Sequence, residues 1–286
     1  MSAVRSTGDF RERYGPWALV AGASDGIGEC FARRIAERGV NVVLLARRER
    51  LVATLAAELH AKHGVEARAL VADLTAGDLD AKVEAATCDL DVGLLVYNAG
   101  AVHGWKSFHD HPVEHALGLV ALNCTGPILL VHRLGARMRA RGRGWILLMG
   151  SMISFAGSAY VATYSATKAF DRILAEGLWH ELKPHGVDVL SAIAGATRTP
   201  AMLATSDAFA SYPGALDPDD VASGALAFLG RGPIWIPGDT NRTTARGLSP
   251  VPRIPVINAM SEATAGIYGL PHAAAEGEEF PGPGEE

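Results

Sequence analysis

Cysteine is scarce in this chain: Cys30, Cys88 and Cys124 are all there is in 286 residues, and no two stand in a CxxC pair. An odd count without paired spacing excludes a disulfide framework and points to a reducing, cytoplasmic setting. An excess of positive charge is missing too. Lys and Arg number 26 against 31 Asp and Glu, and residues 271–286 hold five Glu and no Lys or Arg, so the rest of the chain is neutral. Without a basic face, nucleic acid is not an expected partner. Long apolar runs are also lacking. Apolar runs such as Trp145–Met149 and Asn41–Ala46 fall far short of the roughly 20 residues of a membrane helix. The first fifteen residues are polar and charged, so no secretory apolar core is visible and no membrane association is expected.

What is present is ordinary globular material, 49% hydrophobic and 20% charged. Short apolar runs alternate with helical patterns. Strands are expected at Trp17–Val20, Val40–Ala46, Glu66–Ala72, Asp91–Tyr97, Trp145–Met149, Val187–Ile193 and Ile234–Pro237. Helices are expected at Ile27–Arg38, at Arg48–His63 with Leu51, Leu55 and Leu59 on one face, at Pro112–Arg141, and at Tyr160–Lys183 ahead of Pro184. Apolar strands alternating with helices read as an α/β fold, a single-domain doubly wound parallel sheet of about seven strands, of the Rossmann dinucleotide-binding type. No repeat or linker divides it. Residues 1–270 form the expected catalytic domain. Within it, 200–217 reads as a mobile loop and 240–270 as an arm packing over the substrate pocket or a partner subunit. The acidic, Pro- and Gly-rich stretch 271–286 reads as a disordered tail.

The first strand runs into Ala21-Gly22-Ala23-Ser24-Asp25-Gly26-Ile27-Gly28. Glycines at a strand-to-helix turn let the backbone approach a pyrophosphate resting on the helix N-terminus. Ser24, Asp25 and Ile27 belong to the same turn. The second strand ends at Ala46 and is followed by Arg47 and Arg48. An acid here would hold the ribose 2′-hydroxyl of NAD. Two guanidiniums instead match the 2′-phosphate of NADP(H), although a solvated helix start would show the same pair.

Tyr164 and Lys168 stand four apart, one helical turn, with Ser151 thirteen residues earlier after the fifth strand. A phenol has a reference pKa of about 10. A neighbouring ammonium stabilises the phenolate and makes tyrosine a usable proton donor or acceptor. A serine hydroxyl beside it would hold a reacting carbonyl oxygen.

With these residues in place, the chain resembles the short-chain dehydrogenase/reductase family over residues 15–240. The resemblance extends to Asp73-Leu74 after the third strand, Asn98-Ala99-Gly100 after the fourth, Asn123 on the long helix, and Thr197 and Thr199 in Ala194-Gly195-Ala196-Thr197-Arg198-Thr199. It implies that Tyr164 is the acid/base. Lys168 would assist it and bind the nicotinamide ribose, Ser151 would position the substrate oxygen, and Asn123 would hold a proton-relay water. It implies further that Asp73 and Leu74 lie at the adenine, that Asn98, Ala99 and Gly100 line the cofactor path, and that Thr197 and Thr199 lie at the nicotinamide. Ala21, Tyr97 and Ala194 depart from the family's usual Thr, Asn and Pro. Within the family, the chain is similar to the bacterial 7β-hydroxysteroid dehydrogenases. That similarity lies in Arg11–Trp17, in Arg47-Arg48-Glu49, and in the Leu216–Pro218 and Pro237–Arg242 regions.

The implied activity is NADP(H)-dependent interconversion of a secondary alcohol and a ketone on a bulky alicyclic or hydroxysteroid-like substrate. The alternatives are a 3-oxoacyl-thioester or small carbonyl reductase, and a non-catalytic NADP(H)-binding sensor. The family's long helices imply a homodimer or homotetramer. Trp105, Phe108, Met152, Phe155, Met202, Leu203, Phe209 and Tyr212 are candidates for an apolar pocket or for core and lid packing. His109, His111 and His115 read as structural or pocket-lining, with no metal expected. The cysteines read as small buried hydrophobes.

Overall fold

The computed structural model describes residues 7–100, 106–205 and 211–279. The seven strands are β1 Trp17–Ala21, β2 Asn41–Ala46, β3 Ala67–Val71, β4 Val92–Tyr97, β5 Gly144–Ser151, β6 Val187–Ala194 and β7 Ile234–Trp235. They form one sheet in the order β3-β2-β1-β4-β5-β6-β7, every pair parallel. The central strands are apolar at nearly every position because both faces are covered. Val20, Leu44 and Leu94 pack into one core, whereas Leu19, Val43 and Leu95, their neighbours in the chain, pack into the other. Strand order reverses between β1 and β4. Their carboxyl ends lie in register at Ala21 and Tyr97, which opens a crevice above the sheet.

Among the helices, α1 is Thr7–Tyr14, α2 Gly26–Glu37, α3 Glu49–His63 and α4 Leu79–Thr87. In α3 the buried stripe is Val52, Leu55 and Leu59, whereas Leu51 is 41% exposed. The expected grouping of Leu51 with Leu55 and Leu59 is therefore corrected: spacing of three then four, not four then four, follows the 3.6-residue period onto the sheet. The long helical run consists of α5 Val113–Val120, a π-helical turn at Ala121–Thr125, and α6 Gly126–Arg141. As one run, 113–141 is long and apolar enough to cross a membrane by length and composition, which the count of unbroken apolar runs missed. In the fold its Leu130, Leu134 and Met138 are buried in the core beside β4 and β5. Next come α7 Ala162–Leu182, α8 Pro200–Leu203, α9 Pro218–Ala227, α10 Asp239–Leu248 and α11 Arg253–Tyr268.

The C-terminal arm departs from the first of its two expected placements, the one over the substrate pocket. The region 240–270 is mostly two helices, and α11 docks on α7 away from the cleft. Ile254 and Ile257 are buried in the core with Trp179, and Arg253 donates two hydrogen bonds to the buried Glu176 at 3.0 and 2.7 Å. The expected free tail is likewise corrected as far as Glu279. Its carboxylate accepts the Ile254 N–H at 2.6 Å, serving an unpaired donor of the first turn of α11. Asn258 exchanges two hydrogen bonds with the Ala275 backbone, at 3.0 and 2.9 Å. Arg231 pairs with Glu278 at 2.6 Å. Charge and glycine content concealed this docking because it relies on backbone groups rather than an apolar stripe. Residues 280–286 lie outside the described residues.

Candidate active site

The glycine turn joins β1 to α2 at the crevice. Gly28 is at the point of closest approach: a Cβ there would lie 2.0 Å from the Gly22 carbonyl oxygen and 2.6 Å from Asn98 Nδ2. Asn98, just past β4, donates from Nδ2 to that same carbonyl at 3.1 Å, so the end of β4 braces the turn. Asp25 is the N-cap of α2, fully extended, and its side chain caps none of the helix. The first-turn N–H groups of α2 are therefore left for an anion.

Beside the turn lies a charged rim. Arg48 pairs with Asp25 at 2.7 Å and donates to Ser24 Oγ at 2.6 Å. Arg47 is 74% exposed and only loosely paired, 3.8 Å from Asp73. The backbone N–H and hydroxyl of Thr75, at 2.9 and 2.8 Å, hold the Asp73 carboxyl below its ordinary range, with help from Arg47.

A cleft of about 550 Å³ opens from this turn. Asp25, Gly26, Ile27, Asn98, Gly100, Ser151, Tyr164, Lys168, Thr197 and Thr199 all line it. Ser151 closes β5, its Oγ accepting the Ile153 N–H at 3.4 Å. Tyr164 and Lys168 share one face of α7. The Lys168 ammonium is 5% exposed and donates to the Met149 carbonyl at 2.8 Å and to Asp171 Oδ2 at 2.9 Å. Burial works to lower its pKa, but Asp171 and then Tyr164 outweigh it, and the ammonium is held above the ordinary lysine value.

Asn123 lies behind the cleft wall in the π-helical turn. Its Nδ2 donates to Thr167 Oγ1 at 3.0 Å, while its buried Oδ1 has no partner. The π turn displaces backbone hydrogen bonds, and Tyr97 compensates by donating its hydroxyl to the Leu122 carbonyl at 2.6 Å. Gly126 makes room for it, since a Cβ there would lie 2.2 Å from the phenol oxygen. Burial pushes the Tyr97 phenol far up and keeps it a donor. The departure from Asn at this position thus has a local use.

Of the expected site residues, Gly22 and Gly28 shape the turn, and Ser24, Arg47, Arg48 and Asp73 form the rim. Leu74 has its side chain buried in the core with Leu79 and Val83, which leaves its main chain to face a ligand. Ala99 also packs at the core edge, with its N–H donated to the Ala21 carbonyl at 2.9 Å. Met152 and Met202 line the cleft, along with Ile153 and Val161, which the sequence did not single out. Phe108, His111 and His115 line a second cavity of about 300 Å³ with Leu119 and Tyr160, and both cavities meet at Val161 and Tyr164. The His111 and His115 rings stack at 4.1 Å. Among the described residues no His, Cys, Asp or Glu group could hold a metal ion. Phe155 joins the packing around Ile193 and Ile234 instead of the cleft, and Leu203 and Tyr212 are exposed. Trp105 and Phe209 lie outside the described residues. The cysteine expectation is also corrected: Cys88 is exposed, and Cys30 and Cys124 are half-buried, with burial pushing both thiols up to about 11. Asp171 gave no signal in the sequence.

A doubly wound sheet with a Ser, Tyr and Lys set beside a glycine turn defines a dinucleotide-dependent oxidoreductase. The family model for short chain dehydrogenase matches residues 16–208, and the chain belongs to that family. The chain is 32% identical over 236 residues to a 7beta-hydroxysteroid dehydrogenase of Clostridium sardiniense, covering 82% of this chain and 90% of that one. It is 37% identical over 214 residues to a very-long-chain 3-oxoacyl-CoA reductase of Aspergillus clavatus, covering 69% of this chain and 60% of the reductase. Among solved structures, a short-chain dehydrogenase from Sphingobium yanoikuyae in complex with NADPH superposes with a TM-score of 0.73 at 30% identity, covering 93% of this chain and all of that one.

Proposed function

We propose that the protein is an NADP(H)-dependent oxidoreductase that interconverts a secondary alcohol and a ketone on a bulky alicyclic, hydroxysteroid-like substrate. The observation that carries this reading is the shared cleft, in which Ser151, Tyr164 and Lys168 face the same space as Asp25, Gly26 and Ile27 of the glycine turn. The residues fit a dinucleotide: the first turn of α2 has N–H groups free for a pyrophosphate, and a Cβ on Gly28 would break the cradle. Arg47 and Arg48 would take the 2′-phosphate, Asp73 the adenine, and Asn98, Gly100, Thr197 and Thr199 the nicotinamide half. When bound, the cofactor supplies or accepts the hydride at the substrate carbon.

This chain's residues handle the proton. In the reductive direction the Tyr164 hydroxyl donates to the carbonyl oxygen as negative charge develops there. Ser151 Oγ–H donates to the same oxygen and fixes its position. The Lys168 ammonium steadies the phenolate that remains. The unpaired Asn123 Oδ1 offers an acceptor for a relay water that returns a proton from solvent. In oxidation the steps reverse.

Support for a bulky apolar substrate comes from Met152, Ile153, Val161 and Met202 on the cleft wall, and from the adjoining cavity with Phe108 and Leu119. The similarity to a hydroxysteroid dehydrogenase points the same way. Exposed Leu117, Val120 and Ile128 on α5–α6 and Ile173 on α7 support assembly as a homodimer or homotetramer, and three free cysteines support a cytoplasmic setting. The test is consumption of NADPH with hydroxysteroid ketones, 3-oxoacyl thioesters and small ketones. Turnover of the steroid ketones is expected. Preference for the thioesters would move the assignment to an acyl-chain reductase, and binding of NADPH with no turnover of any would refute catalysis.

A further inference from the structure

The Lys168 ammonium carries a second partner that the reaction as described does not use. Asp171, one helical turn further along α7, has its side chain 3% exposed and its Oδ2 2.9 Å from Lys168 Nζ. It does not line the cleft, so it contacts the ammonium from the side away from substrate. An ammonium has three N–H groups. The Met149 carbonyl takes one and Asp171 a second, leaving one for the cleft, where Gly100 stands close to Nζ. The other groups that feel Asp171 are Cys124 of the π-helical turn and Tyr97 on β4, while Tyr164 acts on the shared partner, Lys168. None of these other groups is a cation. The second carboxylate oxygen, Oδ1, is buried and unpartnered. A buried carboxylate with one charged partner depends on that partner, and the partner's charge depends on it.

We propose that Asp171 is a positioning residue for proton transfer: it binds Lys168 from behind the cleft, aims the remaining N–H at the reacting groups, and through its negative charge sets the pH range in which Tyr164 and Lys168 exchange a proton. This rests on the reading of Tyr164 and Lys168 as the proton-handling pair. Near a buried anion, every neighbouring group keeps its proton to higher pH. Removing the anion favours the deprotonated form of each, whichever of the two titrates first. The sign of the effect therefore does not depend on how the pair shares its proton.

Asp171→Asn keeps the size and the hydrogen-bond acceptor and removes the charge. The rising limb of kcat/KM for alcohol oxidation against pH is expected to move about one unit toward acid. Asp171→Glu, which keeps the charge, is expected to hold the limb near wild type. A second measurement needs neither cofactor nor substrate. The ultraviolet tyrosinate titration of the free protein, with the titration of Tyr164→Phe subtracted, isolates Tyr164, and it should show the same displacement in Asp171→Asn. An Asp171 with a purely structural role would lower Tm or kcat and leave both titrations in place, and that result overturns the proposal. If Asp171→Asn does not fold, Asp171→Glu carries the test: an acid displacement of its limb as large as the one expected for charge removal would overturn the proposal, and a limb near wild type would support it. A wild-type protein that turns over no ketone refutes the proposed activity, while the tyrosinate displacement still decides the role of Asp171.

Discussion

Replacement of Arg47 by alanine tests cofactor choice with little structural side effect. The guanidinium is 74% exposed and its contact with Asp73 is 3.8 Å long. Asp73 already accepts the Thr75 N–H and hydroxyl, so it is not stranded when Arg47 is gone. Stability should change by less than about 0.5 kcal/mol, as for an ordinary surface substitution. Binding is another matter. A ribose 2′-phosphate carries close to two negative charges, and a charge-assisted hydrogen bond to it is worth about 1.5–3 kcal/mol. Solvent screening at so exposed a site reduces this to about 1–2 kcal/mol, or roughly 5- to 30-fold in affinity. Arg48 does not make up the loss, because Asp25 and Ser24 already hold it. The assay is kcat/KM for NADPH and NADH with one ketone. Arg47→Ala should lower the NADPH value by about tenfold and leave the NADH value unchanged. Equal losses with both cofactors, or none with either, would refute the phosphate role and leave Arg47 as a solvated helix start.

Tyr164→Phe should retain NADPH binding and lose about 10²–10⁴-fold in kcat, the usual size of general acid–base catalysis; retention of half the rate would sink the mechanism. Gly28→Ala should fail to bind NADPH and unfold at lower temperature, because the new methyl group would sit 2.0 Å from the Gly22 carbonyl; unchanged binding by titration would mean that the turn is not the cradle. Truncation after Leu270 removes the Glu279 bond to Ile254 and both Asn258–Ala275 bonds. The loss should be about 1–3 kcal/mol, or a fall of several degrees in Tm, with kcat little changed; an unaltered melting curve would show that the docked tail contributes nothing.

Local pattern determined much of this protein. Strand and helix alternation is written in runs such as Val42–Leu45 and Leu94–Val96, because a strand covered on both faces must be apolar at every position. The glycine turn and the Tyr164–Lys168 pair were legible because backbone approach and one-turn spacing are local requirements. The partners these residues meet were not local. Asp171 is a polar residue in a helix until the fold buries it against Lys168. Tyr97 is a departure from a motif until the π-helical turn at Ala121–Thr125 presents the Leu122 carbonyl to it. The acidic tail looks free until its backbone and Glu279 reach α11. In each case the deciding contact joins groups distant in the chain, or turns on a burial that spacing cannot reveal, and only close packing in three dimensions brings the two ends together.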